Sequence, residues 1–215
     1  MTAFQYITAV HGDEYQPVLA LASQNKAQLV ANPRALSRKI RFIDSDLNAS
    51  FGLRGSSYER RRASEVLKQL DKKKLIVDFH TFSCVSAPFV VIVDLEMLPL
   101  AASLGIPRVV YMQHNIKKGH ALINYRSGVS VEVGKHDDRR SFVRTLQIIN
   151  RLETYDIKPR PIRLYEVFGT INKPGKYVNF KQNKKFTPVL TGEKAYEING
   201  CYGLRAREIK IKKVL

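Results

Sequence analysis

Short apolar runs bounded by polar or turn-forming residues recur along the N-terminal two-thirds of the chain and predict buried strands. Segments with apolar residues at helical spacing lie between these runs and predict helices. The predicted strands are FQYITAV (4–10), KLIVDFHTF (74–82), FVVIVDLEM (89–97), PRVVYMQ (107–113) and GVSVEVG (128–134). The predicted helices are QPVLALASQNKAQLVANP (16–33), SSYERRRASEVLKQLDK (56–72), LPLAASLG (98–105) and RRSFVRTLQIINRLETY (139–155). A further short strand is predicted at the start of residues 39–56, where it runs into a polar loop.

The alternation of strands with helices predicts an α/β fold with a mixed central β-sheet flanked by helices. The pattern changes after the linker DIKPRP (156–161), where short apolar runs are separated by the turn signals NKPGK and NGCYG. The predicted C-terminal strands are IRLYEVFGTI (162–171), KYVNF (176–180), PVLTGEKAYEI (188–198) and REIKIKKVL (207–215). We therefore predict an α/β domain over residues 1–155 and a small β-rich domain over residues 160–215.

Metal-capable side chains lie where the predicted strands end. His11 and Glu14 follow the first strand, His80 lies near the end of KLIVDFHTF, and Glu132 lies within GVSVEVG. These side chains can meet, because the carboxyl ends of strands in an open α/β sheet line one crevice. Two histidines and one carboxylate are a standard catalytic zinc set, and Glu132 is then available to take a proton from water. The alternative is that the histidines are hydrogen-bonded loop residues and that Glu14 caps the following helix.

The composition adds a strong positive charge, since the 215-residue chain has a formal net charge of +17. A basic surface could hold nucleic acid or another polyanion through phosphate contacts, could steer an acidic substrate, or could reflect a lysine-rich proteome. The positive charge is densest in residues 155–215, but the lysines there are scattered singly and in pairs without a long basic arm, which makes nucleic acid the less favoured partner.

The sequence also bears on the compartment. No apolar run approaches the ~18 to 20 residues of a membrane helix, and the N-terminus lacks the basic and apolar regions of a signal peptide. Cys84 and Cys201 are the only cysteines. We therefore expect a reduced cytoplasmic protein without membrane contacts, and the sequence is compatible with an oligomer.

Five motifs occur in a fixed order along the chain: HGDE (11–14), ANPRAL (31–36), RFIDSDLN (41–48), VDFHTF (77–82) and VSVEVG (129–134). In this order they resemble the succinylglutamate desuccinylase/aspartoacylase family, a branch of the zinc carboxypeptidase-like metallohydrolases. The tail segments YEVFGTINKP and PVLTGEKAY resemble the C-terminal β domain of that family more faintly. The resemblance implies a zinc exopeptidase-like fold with one Zn²⁺ per chain.

The resemblance also implies roles for the residues at the matching positions. It makes His11, Glu14 and His80 the zinc ligands, and it makes Glu132 the general base that activates water and then protonates the leaving amine. It makes Arg41 the cation that polarises the carbonyl and stabilises the developing oxyanion. A fixed cation at this place lowers the barrier, because the negative charge appears only in the transition state.

Two further positions match substrate-binding residues of the family, namely Asn48 and, on a loose alignment, Tyr196. Asp44 and Asp46 match acids that shape the loop or orient the ligands and the arginine. Ala49, by contrast, occupies the position at which the family pattern DLNR has an arginine that binds a substrate carboxylate. A bidentate carboxylate clamp is missing at this position, so N-acetylaspartate and N-succinylglutamate are not implied as substrates.

The favoured function is therefore a zinc-dependent hydrolase that cleaves the amide bond of a small N-acyl amino acid or a related amide, which could be acidic. One alternative is a zinc carboxypeptidase that acts on peptides or peptidoglycan fragments. The other is a weakly active or non-enzymatic polyanion-binding protein on the same scaffold.

Overall fold

A nine-stranded mixed β-sheet forms the centre of the structure, a computed structural model that describes residues 3–113, 118–154 and 158–210. The strands are β1 (Phe4–Thr8), β2 (Leu29–Val30), β3 (Leu75–Phe82), β4 (Phe89–Ile92), β5 (Arg108–Tyr111), β6 (Gly128–Lys135), β7 (Arg163–Thr170), β8 (Thr187–Val189) and β9 (Leu204–Ile209). Their order across the sheet is β2-β1-β3-β6-β4-β5-β7-β9-β8. The pairs β4–β6, β7–β9 and β8–β9 are antiparallel, and the other neighbouring strands are parallel.

Helices cover both faces of this sheet. They are α1 (Gln16–Ser23), α2 (Pro33–Arg38), α3 (Tyr58–Gln69), α4 (Leu98–Ser103), α5 (Arg139–Glu153) and the short α6 (Lys194–Glu197). One apolar cluster joins the sheet to Leu21 of α1, Leu98 of α4 and Ile148 of α5, while Ala63 and Val66 of α3 belong to the cluster on the other side. Burial on both faces explains why the strands are continuous apolar runs, and the predicted mixed sheet flanked by helices is confirmed.

Two predicted elements of the N-terminal part are wrong. The helix predicted over residues 16–33 ends at Ser23, and the chain then forms the edge strand β2 before Asn32 caps α2, which begins at Pro33. The helix ends early because Asn25 adopts φ of 51°, in the left-handed region that a right-handed helix cannot continue through. Pro33 favours the first position of the next helix, α2. No strand forms at residues 39–46, because the backbone donors in this stretch bond to a side chain instead.

That side chain is Glu59, which is fully buried in α3. Its Oε1 accepts from the backbone N–H of Ile43 at 2.7 Å, and its Oε2 accepts from those of Asp44 at 3.0 Å and Ser45 at 3.1 Å. The N-cap of this helix is Ser57, whose side chain accepts from the N–H of Arg60. Glu59 therefore fixes the loop that carries the RFIDSDLN motif, a role that its position in a helix start did not reveal.

We expect Glu59→Ala to lower the free energy of unfolding by about 3 kcal/mol, because three backbone N–H groups and the buried amide of Asn32 would lose their acceptor. Urea denaturation followed by circular dichroism measures this effect. Glu65→Ala on the same helix is the control, since the Glu65 side chain is 58% exposed and forms only an ion pair with Arg62. Equal destabilisation by the two substitutions would contradict the role of Glu59.

The C-terminal strands extend the main sheet, because β7 pairs in parallel with β5 and then carries β9 and β8. The strand predicted over residues 176–180 does not form, and part of the strand predicted over residues 188–198 is instead the helix α6. The division into domains 1–155 and 160–215 stays a prediction, and residues 155–157 and 211–215 lie outside the described residues. Within the described ranges, no helix is long and apolar enough to cross a bilayer.

Candidate metal centre

The turn after β1 places two metal-capable side chains together. Ala9 ends the strand with φ of 50°, which is the left-handed region, and the chain reverses there. A Cβ atom at Gly12 would lie 2.1 Å from the carbonyl carbon of Ala35, so only glycine allows α2 to pack this closely. The N–H of Gly12 also donates to the backbone carbonyl of Arg41 at 3.1 Å. This packing holds His11 and Glu14 in a fixed turn at the carboxyl end of the strand.

His80 comes from the neighbouring strand β3 and completes a cluster of three side chains. Nδ1 of His11 lies 2.7 Å from Glu14 Oε1, and Nδ1 of His80 lies 3.0 Å from Glu14 Oε2. One donor atom from each residue lies within 4.8 Å of the other two, and the side chains are at most 4% exposed. The structure thus brings together the three residues predicted as ligands.

A second carboxylate faces the far nitrogen of each histidine ring. Asp46 Oδ1 lies 3.0 Å from Nε2 of His11, and Asp78 Oδ2 lies 2.8 Å from Nε2 of His80. Asp78 is fully buried and also accepts from the hydroxyl of Ser130 at 3.2 Å. Carboxylates placed in this way orient a ligating histidine and keep the proton on its outer nitrogen, so that the inner nitrogen can bind a metal.

These contacts test whether the residues fit a metal ion. Each ring has a carboxylate oxygen within 3.0 Å of both of its nitrogens, and a cation between Nδ1 and Glu14 would satisfy the inner nitrogen and the carboxylate together. Burial alone would lower the pKa of His80, but Asp78 and Glu14 outweigh it and raise that pKa well above its usual range. Burial likewise raises the pKa of Glu14, and the two histidines outweigh it and hold that pKa well below its usual range. A buried anionic carboxylate between two imidazoles is a donor set that suits Zn²⁺.

Glu132 lies beside this cluster, opposite His80 in the pairing of β3 with β6. Its Oε2 is buried and has no hydrogen-bond partner among the described residues. Burial raises the pKa of its carboxyl group to about 8, and the nearby carboxylates of Glu14 and Glu193 add to the rise. An orphaned carboxylate oxygen directed into a cavity is chemically available to exchange a proton with a ligand.

The predicted catalytic, metal-binding and substrate-binding residues all line one cavity of about 40 Å³. Arg41 is 19% exposed and is held by Asp46 Oδ2 at 3.3 Å and Glu14 Oε1 at 3.8 Å. Asn48 accepts the N–H of Leu122 through Oδ1 at 3.1 Å, which leaves its amide Nδ2 to donate to a ligand. The cavity is lined by His11, Glu14, Arg41, Asn48, His80, Thr81, Phe82, Glu132, Leu190, Glu193 and Tyr196.

Tyr196 reaches this cavity from α6, and burial raises its pKa. Ala49 lies in the short 3₁₀ turn Leu47–Ala49 and does not line the cavity. The C-terminal segment predicted as a separate domain therefore contributes side chains to the same site as the N-terminal motifs.

Two acidic residues of the site were not predicted from the sequence. Asp78 was missed, although its spacing of two from His80 in a buried strand places both side chains on one face. Glu193 was missed because no local pattern marks it. Its carboxylate accepts from the backbone N–H of Ser83 at 2.8 Å and from the Ser83 hydroxyl at 2.9 Å. It thereby ties the segment of Tyr196 to the loop that follows β3.

The contact between Asp78 and His80 gives a prediction for metal affinity. We expect Asp78→Asn to weaken zinc binding by about tenfold or more, because the neutral amide lowers the basicity of the His80 ring. Competition with a chromophoric chelator measures the dissociation constant. Asp71→Asn, an exposed position, is the control and should leave the constant unchanged. Unaltered affinity in the Asp78 variant would show that this carboxylate does not tune the site.

The fold and the site together define the class of this protein: an α/β protein with a buried His–Glu–His group that could hold a metal ion at the carboxyl ends of its strands. Residues 6–155 match the model of the succinylglutamate desuccinylase/aspartoacylase catalytic domain. The chain belongs to this family, as the order of its motifs predicted.

Among curated proteins, a probable aspartoacylase of Prochlorococcus marinus (strain AS9601) is 26% identical over 157 residues. The match covers 60% of this chain and 52% of that protein, so the chain spans about half the length of the curated relatives it matches.

Among solved structures, the succinylglutamate desuccinylase from Chromobacterium violaceum has a TM-score of 0.73 at 16% identity over 98% of this chain and 85% of its own. Murine aminoacylase 3 has a TM-score of 0.72 at 16% identity over 97% of this chain and 96% of its own. At these identities the likeness establishes the fold.

Proposed function

We propose that this protein is a zinc-dependent hydrolase that cleaves the amide bond of a small N-acyl amino acid or a related amide. The observation that carries the proposal is the buried group of His11, Glu14 and His80 with the orphaned oxygen of Glu132 beside it. Membership of the succinylglutamate desuccinylase/aspartoacylase family supports the reaction class.

In this proposal Nδ1 of His11, Nδ1 of His80 and the carboxylate of Glu14 hold the ion, while Asp46 and Asp78 orient the two rings. A bound Zn²⁺ supplies a Lewis acid that polarises the amide carbonyl and acidifies water. A group of three protein ligands is typical of catalytic zinc, since it keeps a position open for water or substrate.

Glu132 is the proton carrier. In its ionised form, which the raised pKa makes a stronger proton acceptor than an ordinary carboxylate, it takes one proton from the water as the water oxygen bonds to the amide carbon. It then delivers this proton to the amide nitrogen as the C–N bond breaks, so that a free amine and a carboxylic acid leave the site. The lack of any partner for Oε2 among the described residues fits this role, because no internal hydrogen bond must be broken first.

Arg41 stabilises the negative charge that develops on the carbonyl oxygen. Its contacts with Asp46 and Glu14 fix the guanidinium group before the reaction, which reduces the reorganisation needed in the transition state. The Nδ2 amide of Asn48 and the phenol of Tyr196 lie on the same cavity and are positioned to bind the substrate.

The test is a hydrolysis screen of the zinc-loaded protein against N-acyl amino acids, short peptides and peptidoglycan fragments, with amine release as the readout. We expect turnover of one or more N-acyl amino acids, which chelation abolishes and zinc restores. Turnover of peptides alone would assign a carboxypeptidase instead. Absence of hydrolysis together with nucleic-acid binding that weakens steeply with salt would favour the polyanion-binding alternative.

A further inference from the structure

The cavity at the metal centre is too small for a whole substrate. Its volume of about 40 Å³ leaves room beside His11, Glu14 and His80 for only a few atoms of a substrate. The remainder of an N-acyl amino acid must therefore lie against the surface that adjoins the cavity.

A wider depression of about 550 Å³ adjoins the cavity across Phe82, which lines both. Three cationic side chains lie on its wall: Lys135 at the end of β6, Arg139 at the start of α5 and Lys194 at the start of α6. We call the surface formed by these three residues the basic shelf.

The basic shelf is fixed rigidly to the metal centre. Lys135 pairs with Phe82 in the register of β6 and β3, and the N–H of His136 donates to the Phe82 carbonyl at 3.2 Å. The hydroxyl of Thr81, which lines the cavity, lies 2.7 Å from Nδ1 of His136. Lys194 follows Glu193 and donates its own backbone N–H to the Ser83 hydroxyl at 3.0 Å. A ligand on the shelf would consequently be held at a constant distance from the cavity.

Asp137 and Asp138 lie on the same wall and offset part of the positive charge of the shelf. Asp138 is already paired with Arg140 at 2.7 Å and caps α5, while Asp137 accepts from the Tyr15 hydroxyl at 2.9 Å. Within the ranges that the structure describes, Lys135, Arg139 and Lys194 form no ion pair. The wall thus has an excess of exposed positive charge, and its chemical complement is a carboxylate.

We propose that the basic shelf binds a free carboxylate of the substrate while the amide lies in the cavity, so that Lys135, Arg139 and Lys194 determine specificity for anionic substrates. This inference rests on the proposed hydrolase function and adds the location of the anion. A carboxylate bound on the shelf would not need an arginine at position 49, where this chain has alanine.

The first experiment compares two triple variants that remove the same number of charges. The shelf variant is Lys135→Gln/Arg139→Gln/Lys194→Gln, and the control is Lys181→Gln/Lys184→Gln/Lys185→Gln, which alters exposed lysines between β7 and β8. Each is assayed with the best N-acyl amino acid of the screen and with the derivative in which its carboxylates are primary amides.

We expect the shelf variant to lower kcat/KM for the carboxylate substrate by about tenfold, chiefly through KM, because three partly exposed charge contacts are lost. The amide derivative should change by less than about twofold, and added salt should shrink the difference between wild type and variant. Equal losses for the two substrates, or an equal loss in the control variant, would overturn the assignment.

A binding experiment separates this inference from the proposed function if no N-acyl compound is hydrolysed. Succinate and its diamide are titrated into the zinc-loaded protein and followed by NMR. Saturable succinate binding that weakens about tenfold in the shelf variant, but not in the control, would uphold the shelf even without turnover. Succinate binding of equal strength in wild type and shelf variant, or none in the wild type, would refute it.

Discussion

Replacing His80 with alanine is expected to reduce bound zinc from one equivalent per chain to less than about a tenth. His80 supplies one of three donor atoms that lie within 4.8 Å of one another. Its loss removes a covalent ligand and leaves the Glu14 carboxylate buried with one imidazole partner instead of two. We expect the apparent affinity to fall by roughly two to three orders of magnitude, since zinc sites of this kind gain several kcal/mol from each ligand. Hydrolysis should be lost together with the metal.

The measurement is elemental analysis after dialysis against metal-free buffer, with circular dichroism to verify that the variant is folded. His80→Asn, which preserves more of the buried volume, guards against a loss of metal that merely reflects unfolding. His120→Gln is the matched control, because His120 contacts the backbone carbonyl of Phe51 and does not line the cavity. Stoichiometric zinc in both His80 variants, or a wild type that binds no zinc at neutral pH, would exclude the proposed centre.

Replacing Glu132 with glutamine is expected to leave the zinc content unchanged and to lower kcat by about 10²- to 10⁴-fold. Glutamine has nearly the same shape, but its amide cannot take a proton from water or return it to the leaving amine. The side chain is not among the three grouped ligands, so the metal should remain. Turnover is expected to fall in both the Glu132 and the His80 variants, but zinc is expected to be lost only from the His80 variant. The zinc content therefore distinguishes the two roles.

Single-turnover kinetics and elemental analysis on the same preparation test this expectation. Glu166→Gln in β7 is the control, because that carboxylate forms only an ion pair with Arg207 near the surface. A Glu132 variant with wild-type kcat would remove this residue from the mechanism, and a variant that loses its zinc would reassign it as a ligand.

Parts of the site are readable from the sequence because they are local. His11 and Glu14 lie three residues apart after a buried strand, and a glycine between them permits one tight turn. His80 ends a second apolar run, and parallel pairing of β1 with β3 brings the two strand ends to one edge. The strand periodicity, the turn residues and the order of the motifs were therefore sufficient to predict the sheet, the family and a group of residues that could hold a metal ion.

The remaining parts depend on contacts between residues that are distant in the chain. The strand predicted at residues 39–46 fails because Glu59, in a later helix, takes the backbone donors of that loop. Periodicity describes only the side chains of the segment itself, so it cannot register a competing acceptor from elsewhere. The helix predicted through residues 24–33 shows the same weakness, since apolar spacing over a short stretch suits an edge strand as well.

Periodicity and short local motifs were enough to predict the mixed sheet flanked by helices, the family and the set of residues that could hold a metal. The folded chain was needed to show that Asp46 and Asp78 face the outer nitrogens of the two histidines, and that Glu193 ties the C-terminal segment to the cavity. It alone placed Lys135, Arg139 and Lys194 on one wall. Hydrogen bonds and charge act through space, and the pairing of β5 with β7, which joins the C-terminal strands to the rest of the sheet, leaves no periodic trace in either segment.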